Sequence, residues 1–554
     1  MDRKILQVSA LFLILFAFPI ATFSETAHFV YYVNINSGDD FNDGLSWNSA
    51  FKNLQPAIDV AVQGDTIKVA AGTYLPTEKM AEVYDEEAVI VLPTNDRHRS
   101  FLIQKEIHLY GGFPADATNA TTHNDRDWIK NETILSGDFN GDDDGFKNMD
   151  ENALHVVVLL FVTSATRLDG FIITGGNVSA DSADVYVNNV LVQRNCGGGI
   201  YAISKYESSP TLANLVIRDN QAEQYGGGIY NYSESGNASP KLENVAILSN
   251  FADERGGGFF NDGMNASPEL RNVNITGNLA TFHGGGLFCI AEQMTAPYLE
   301  NVLIAGNKAT SGAGVYIIAL EEDATPIITN ATICHNKAAA NGNGGGLFVS
   351  AYTALAKLEI RNTVIWGNRS NTVDNLIVYG ESNPTSSWLE THISNSFIEG
   401  MIEDNELGYD NRDPMFFDPV DAELAPTVSG YGNYRLSPES PLIDQGNNAF
   451  VTLSKDLDGQ TRIVGSAVDI GAYEYQGDNS GNKVLLQNEH IWSHQGKLYV
   501  KIINNNVTMH IYSVNGNLVR QVNKLGEGLY SYTLPCGLYI VTLSTGETTK
   551  IIIR

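Results

Sequence analysis

Apolar and polar positions alternate in short runs along much of this chain, rather than recurring every three to four residues. Leu242-Glu243-Asn244-Val245-Ala246-Ile247-Leu248 is typical, and β-branched residues fill many of the apolar places. Period-two alternation predicts strands with one buried face. The runs themselves repeat. Asn-x-x-aliphatic-x-x-Asn occurs at Asn189–Asn195, Asn214–Asn220, Asn244–Asn250, Asn272–Asn278, Asn301–Asn307, Asn330–Asn336 and Asn362–Asn368. Val192, Ile217, Ile247, Ile275, Ile304, Ile333 and Ile365 stand at the centres. Between copies lie glycine clusters beginning at Gly197, Gly226, Gly256, Gly284, Gly312 and Gly344, spaced 28 to 32 residues apart. A period of this size predicts a solenoid.

Helical repeats need 3.6-residue apolar stripes and tolerate little glycine, so the coils are expected to be strands joined at glycine corners. Successive coils would stack as parallel strands, and the paired asparagines would form ladders along the stack. The expected fold is all-β: a right-handed parallel β-helix followed by a small C-terminal β-sandwich. Leu168–Gly176 and His392–Gly400 match the coil pattern. About nine coils at strand spacing give a rod of roughly 40 Å. The Gly-Gly-Gly-Ile/Leu-Tyr/Phe steps following Asn278-Leu279-Ala280 and Asn307-Lys308-Ala309 resemble polymorphic outer membrane protein and pectate-lyase-like repeats. That resemblance implies the fold, but adhesins, passenger domains and polysaccharide-cleaving enzymes all use it.

The regions are expected as follows. Residues 1–24 (Arg3, Lys4, then an apolar core Leu11–Ile20) read as a secretory signal peptide cleaved after Ser24 or after Ala27, too short to span a bilayer. Residues 28–160 form the N-terminal cap and first coils: Tyr31 onward resembles the cap of pectate-lyase-like proteins, with a plugging helix at Leu54–Val62 and an acidic insertion over Leu109–Glu151. Residues 161–400 are the repeats. Residues 401–476, with Asp413-Pro414, Ser440–Asn447 and Val468–Tyr475, resemble the choice-of-anchor Q module. Residues 477–483 form a linker. Residues 484–554 alternate again, with a hairpin signal at Asn515-Gly516. That last stretch resembles the sorting domain of type IX secretion cargo, carried by Ile511-Tyr512, Leu518-Val519, Pro535–Val541 and the basic end. The resemblance implies export to the cell surface or medium, with the secretion machinery as a partner.

Composition narrows the chemistry. Sixty-four acidic against 34 basic residues give a net charge of −30, which argues against nucleic acid, whose phosphates need clustered cations. No stretch after the signal is apolar enough for a transmembrane span. Four scattered cysteines make neither a disulfide framework nor a metal motif. Carboxylates alternating before a glycine resemble a calcium loop, with Asp138, Asn140, Asp142, Asp144 and Glu151 as candidate ligands of a structural Ca²⁺; a solvated acidic loop is the alternative. Asp39, Asp40 and Asp43 read as a polar turn, with a cation site as the alternative, and Asp444, Asp456, Asp458 and Asp469 as turn-forming aspartates in preference to a catalytic set.

No residue set reads as catalytic. Glu243, Glu269 and Glu300 are expected near one another in adjacent coils, Arg218–Asp219 and Glu254–Arg255 as salt-bridged turns, and His283 and His335 as isolated surface residues. Tyr201, Tyr230, Phe260, Phe288, Tyr316 and Phe348 each follow a glycine cluster by two places and are expected to stack as core; Tyr206 and Tyr232 are left open. The expectation is a non-enzymatic exported rod binding a glycan or a cell-surface protein. Two alternatives stand beside it. A carbohydrate-active lyase or hydrolase would show a charged cleft on one long face, and a structural surface-layer component would self-associate.

Overall fold

A computed structural model describes residues 28–553 apart from 80–81, 85–88, 92–94, 180–184, 188–189, 292–296, 320–324, 352–355, 371–374, 381–388, 401–411, 427–431, 478–489, 495–496, 503–505, 514–515, 527, 536 and 546–547. The signal peptide, nearly all of the linker and Cys536 lie outside the described residues. Among those described, no helix is long and apolar enough to cross a membrane.

The repeats fold as a parallel β-helix. One coil is followed most easily from Lys241. Strand Lys241–Leu248 bends at Asn244 so that it contributes to two faces, Phe251–Ala252 makes a short third strand, and Phe259–Asn265 makes the fourth before the next coil starts at Glu269. Each strand pairs in parallel with its counterpart one coil away: Leu242 with Leu270, Phe251 with Leu279, Phe259 with Leu287. The face containing Lys241–Glu243 runs unbroken from Val30–Val33 to Leu389–Ser394. The face containing Phe259–Asn265 is a nine-stranded parallel sheet. Inward residues of all faces form one core, including Leu242, Ile247, Phe259, Leu270, Ile275, Leu287 and Leu299. Helix Leu54–Val60 lies at the N-terminal end, burying Leu54, Ala57 and Ile58, which shields the first coil's edges.

Both asparagine ladders form, and they do different jobs. The first asparagine of each phrase turns the corner in the left-handed region, with φ of 50°, 55°, 55°, 52°, 49° and 46° at Asn214, Asn244, Asn272, Asn301, Asn330 and Asn362. Asparagine tolerates that conformation better than other residues with a Cβ. The second asparagine is fully buried. Asn278 Nδ2 donates to Asn307 Oδ1 (3.0 Å), and its own Oδ1 accepts from Asn250 Nδ2 (3.0 Å). The glycine corners close against these amides: a Cβ at Gly258 would sit 2.6 Å from Gly286 O and 3.0 Å from Asn278 Cγ.

Three expectations need correction. The phrase Asn189–Asn195 is not a coil, because Val190–Val192 pairs antiparallel with Val185–Val187 in a hairpin. The coil position falls instead to Arg167–Asp169 and Ile172–Thr174. The local motif is the same, but a hairpin can satisfy both strands' hydrogen bonds without the stack. The region Leu109–Glu151 is only partly an insertion, since His108–Phe113 and Thr133–Ser136 are strands of the stack. The aromatic series is buried and stacked, with centroids 4.6–5.3 Å apart. It lies on the outer side of the nine-stranded sheet, in a cluster of its own with Val158, Leu160, Val187 and Val192, and not in the inner core. Among the hydrophobics, Tyr206 is well exposed, and Tyr232 packs partly buried against the outer cluster.

Among the described residues of 412–476, regular structure is confined to Phe416–Asp418 paired with Asn433–Leu436 and short 3-10 turns at Ala422–Leu424 and Asn448–Phe450. The segment is held by buried carboxylates bonded to backbone. Asp456 accepts from Gln460 N and Glu474 N, Asp469 from Asp444 N and Tyr475 N, and Glu474 from Val464 N and Asp469 N. Residues 490–553 make two antiparallel sheets around Leu498, Val500, Met509, Ile511 and Val541.

Candidate functional site

The face that begins at Val30–Val33 carries an outward column in register: Tyr32, Lys68, Tyr110, Asp169, Ala213, Glu243, Arg271, Glu300, Thr329 and Arg361. A strand's alternation fixes this. Leu109, Leu168, Leu212 and Leu242 face inward at the intervening place, which turns both neighbours outward. The glutamates therefore do not stack as carboxylates. Glu243 is adjacent to Arg271 and Arg271 to Glu300, while Glu269 pairs in register with Lys241 and Tyr298. Arg271 binds Glu300 at 2.8 Å and also contacts Glu269. Alternation of sign removes the repulsion that a stacked set would carry.

At the N-terminal end of this column a loop folds over the face. The corner that is asparagine in later coils is Gly170 here and Gly111 one coil earlier. A Cβ at Gly170 would meet the Arg126 guanidinium, and its absence leaves room for Arg126, which donates to Gly111 O (2.5 Å) and to Asp169. Asp169 is buried and also accepts from Arg167 Nε (2.9 Å) and Asn214 Nδ2 (2.8 Å). Its carboxylate is fully used in holding two guanidiniums. Arg167 reaches across Ala213 to Glu243 (3.4 Å). Burial alone would lower the Arg167 pKa, but the bonds to Asp169 and the nearby Glu243 outweigh it and raise it, so the group stays charged. His123, beside Arg126, packs edge-on to Tyr110 (5.5 Å). Partial burial, then the charges of Arg126 and Lys68, lower its pKa, so its imidazole is neutral at pH 7. The Lys68 ammonium lies 5.7 Å from the Tyr32 ring centre and 5.6 Å from that of Phe113, and burial lowers its pKa. Cations, a neutral base and aromatic walls thus share one stretch of a long face.

The acidic loop lies elsewhere. Carboxylate oxygens of Asp138, Asp142 and Glu151 come within 4.8 Å of one another. Asp138 also closes the turn by accepting from Gly141 N (2.6 Å) and Asp143 N (3.2 Å). The other two candidate ligands do not join them: Asp144 is turned out to Lys147 (3.0 Å) and Asn140 is exposed. Asp143 feels the charge of all three carboxylates. Its pKa is pushed up to about 6 by burial and then by Asp138, Glu151 and Asp142. The alternating spacing fails because Asp138, and not position 140, organises the turn.

The remaining candidates are structural in geometry. His283 is half-buried against Tyr316 (4.8 Å), with its pKa lowered to about 4 by burial and Arg255. His335 is similarly lowered, by burial and Arg369. Arg218 and Asp219 pair at 2.8 Å at an exposed corner. Asp456 and Asp469 bind backbone, as described above, Asp444 accepts from Ser466 N (3.1 Å), and Asp458 pairs with Arg435.

No protein-family model matches this sequence, and no curated protein matches it. Among solved structures, a pectate lyase superposes with a TM-score of 0.41 at 15% identity, covering 81% of this chain and 97% of its own. A rhamnogalacturonan lyase gives 0.32 at 12%, covering 74% and 97%, and a GH136 lacto-N-biosidase from Eubacterium ramulus gives 0.26 at 11%, covering 66% and 68%. Scores and identities this low carry no residue-level correspondence.

Proposed function

We propose that the protein binds an anionic polysaccharide along its charged face and cleaves it by β-elimination. The observation that carries this reading is the guanidinium pair of Arg126 and Arg167, fixed on buried Asp169 beside the neutral imidazole of His123. A uronate carboxylate would lie on the guanidinium pair, which stabilises the charge that develops when the adjacent C5 proton leaves. His123 takes that proton as general base. The electron pair forms the C4–C5 double bond, the C4–O bond breaks, and the departing oxygen takes a proton from Lys68 or water. This replaces the non-enzymatic rod as the preferred reading, because that rod gives no reason for a preorganised cationic cluster on a −30 chain. The test is the ultraviolet absorbance of unsaturated ends from acidic polysaccharides, with and without EDTA, in wild type and His123→Ala. Absorbance that His123→Ala abolishes supports elimination, and unchanged turnover in that variant removes His123 from the mechanism.

One observation favours binding without turnover: each arginine of the cluster is already paired with a carboxylate, and Lys68 is packed between rings. Retained affinity with no product would select that reading. We further propose that Asp138, Asp142 and Glu151 hold a structural Ca²⁺. We also propose that the chain is exported through a type IX pathway by its C-terminal domain; a tagged protein retained in the periplasm of a competent host would overturn the routing.

A further inference from the structure

After the buried Asp169 and Ala213, the outward column of the charged face is partly exposed for two coils and then covered. Side-chain exposure is 43% at Glu243 and 30% at Arg271, then 0% at Glu300, and Thr329 in the next coil is buried too. The cover comes from the C-terminal module. Residues 447–455 run back over the face toward the N-terminal end. Asn447 N donates to Asn362 Oδ1 (2.8 Å), Phe450 lies over the Arg361 guanidinium (5.0 Å), and Lys455 O accepts from Asn301 Nδ2 (2.7 Å). Between them Thr452 sets its hydroxyl on both oxygens of Glu300 (2.7 Å each) and beside Arg271 Nη1 (3.1 Å).

These contacts are what a sugar makes: a hydroxyl shared between a carboxylate and a guanidinium, with a flat apolar group on a second guanidinium. We infer that the strap 447–455 occupies the C-terminal subsites of the saccharide groove and ends it at Arg271, so that Thr452 and Phe450 set the length of chain that binds. This rests on the reading of the charged face as a glycan groove. The column from Lys68 to Arg271 has the Arg126 and Arg167 side chains over its buried Asp169 and Ala213, then partly exposed Glu243 and Arg271. At one strand spacing per coil it measures about 24 Å, room for roughly five sugar units. The buried Glu300 keeps Arg271 and Tyr298 (2.9 Å) as partners if Thr452 is removed, so the coil beneath keeps its own contacts.

The test is calorimetric affinity for oligogalacturonates and oligomannuronates of increasing length, in the full chain carrying His123→Ala to prevent turnover. It is repeated with Phe450→Ala/Thr452→Ala and with Thr452→Ser. Amide exchange at residues 447–455 reports whether the strap has lifted. The expected result is an affinity that stops rising at about five units in the parent and in Thr452→Ser. The double variant gains at least tenfold for longer chains, together with faster exchange of the strap. The same plateau in parent and double variant despite a lifted strap would overturn the inference while leaving the groove intact. So would affinity that keeps rising in the parent. No binding at any length, in any variant, would overturn the groove and the strap's role together.

Discussion

Removing one amide from the inner ladder should cost far more than removing one from the outer ladder. Asn278 donates through Nδ2 to Ile247 O (2.9 Å), Thr276 O (3.2 Å) and Asn307 Oδ1 (3.0 Å). Its Oδ1 accepts from Asn250 N (3.0 Å) and Asn250 Nδ2 (3.0 Å). Asn250, Asn278 and Asn307 have no exposed surface, so water cannot replace what Asn278→Ala deletes. The Asn250 N–H loses its acceptor outright and four further bonds go. At about 1 kcal/mol net per bond and somewhat more for an orphaned donor, the loss is about 5 kcal/mol. Asn272 is the contrast. It makes two bonds at an exposed corner, to Asn244 and from Asn301 (both 3.1 Å), and its φ is 55°. Asn272→Ala should cost about 1–2 kcal/mol, mostly from placing a Cβ in the left-handed region. Asn272→Gly should recover part of that cost.

Guanidinium unfolding followed by circular dichroism and tryptophan fluorescence gives the three values. A solenoid lesion can also uncouple the coils on either side. Amide exchange should therefore show protection lost first in the coils around Asn250 and Asn307. An Asn278→Ala loss within about 1 kcal/mol of that for Asn272→Ala would refute the argument, because it would mean that the buried bonds are worth no more than solvated ones.

Other consequences are as sharp. Gly286→Ala would place a Cβ 2.6 Å from Gly314 O and should cost about 2–3 kcal/mol in the same unfolding assay. Ala313→Gly, at the corner position that already carries a Cβ, should cost under about 1 kcal/mol. Glu474 has its pKa raised from 4.5 to about 8, by burial first and then by Asp469. The folded state therefore holds a proton the unfolded chain has lost. Stability from this group is full below pH 4.5 and is lost as pH rises toward 8. The melting temperature should fall over that range, with a shallower fall in Glu474→Gln; a rise over the same range would reverse the assignment. Ca²⁺ should raise the melting temperature of wild type and of Asp144→Asn but not of Asp142→Asn, since only the latter lies in the trio. In the elimination assay Arg167→Ala should raise KM and lower kcat together, because the guanidinium holds both the substrate carboxylate and the charge that forms there.

The repeat was legible because it is local. Asn214 and Asn220, or Gly226 and Tyr230, lie within one coil, and their spacing alone specifies a corner, a ladder and a stacked ring. The same locality explains the error at Asn189–Asn195, where the motif is intact and only the pairing partner differs. It also explains the misplaced aromatics. Period two fixes which residues share a side of the sheet, but both sides of the nine-stranded sheet are covered, so burial does not reveal which side is inner.

The charged face was invisible for a related reason. Lys68, Tyr110 and Asp169 occupy one column, yet the intervening loops differ in length, so no fixed interval marks them. His123 and Arg126 are not on the column at all; at the Gly111–Gly170 corner the loop that carries them reaches Asp169 because Gly170 has no side chain in the way of Arg126. A signal did exist in the pattern. Those two glycines stand where every later coil from Asn214 onward has asparagine, and a break in an otherwise regular corner marks the place where another segment must come in. The strap at the opposite end obeys the same logic: Glu300 and Thr329 are polar outward residues with no solvent exposure, so something must cover them. Departures from the repeat at one end and buried polarity at the other bracket the stretch from Lys68 to Arg271. That interruption of the solenoid's regularity, more than any motif within it, singles out the stretch proposed as the groove.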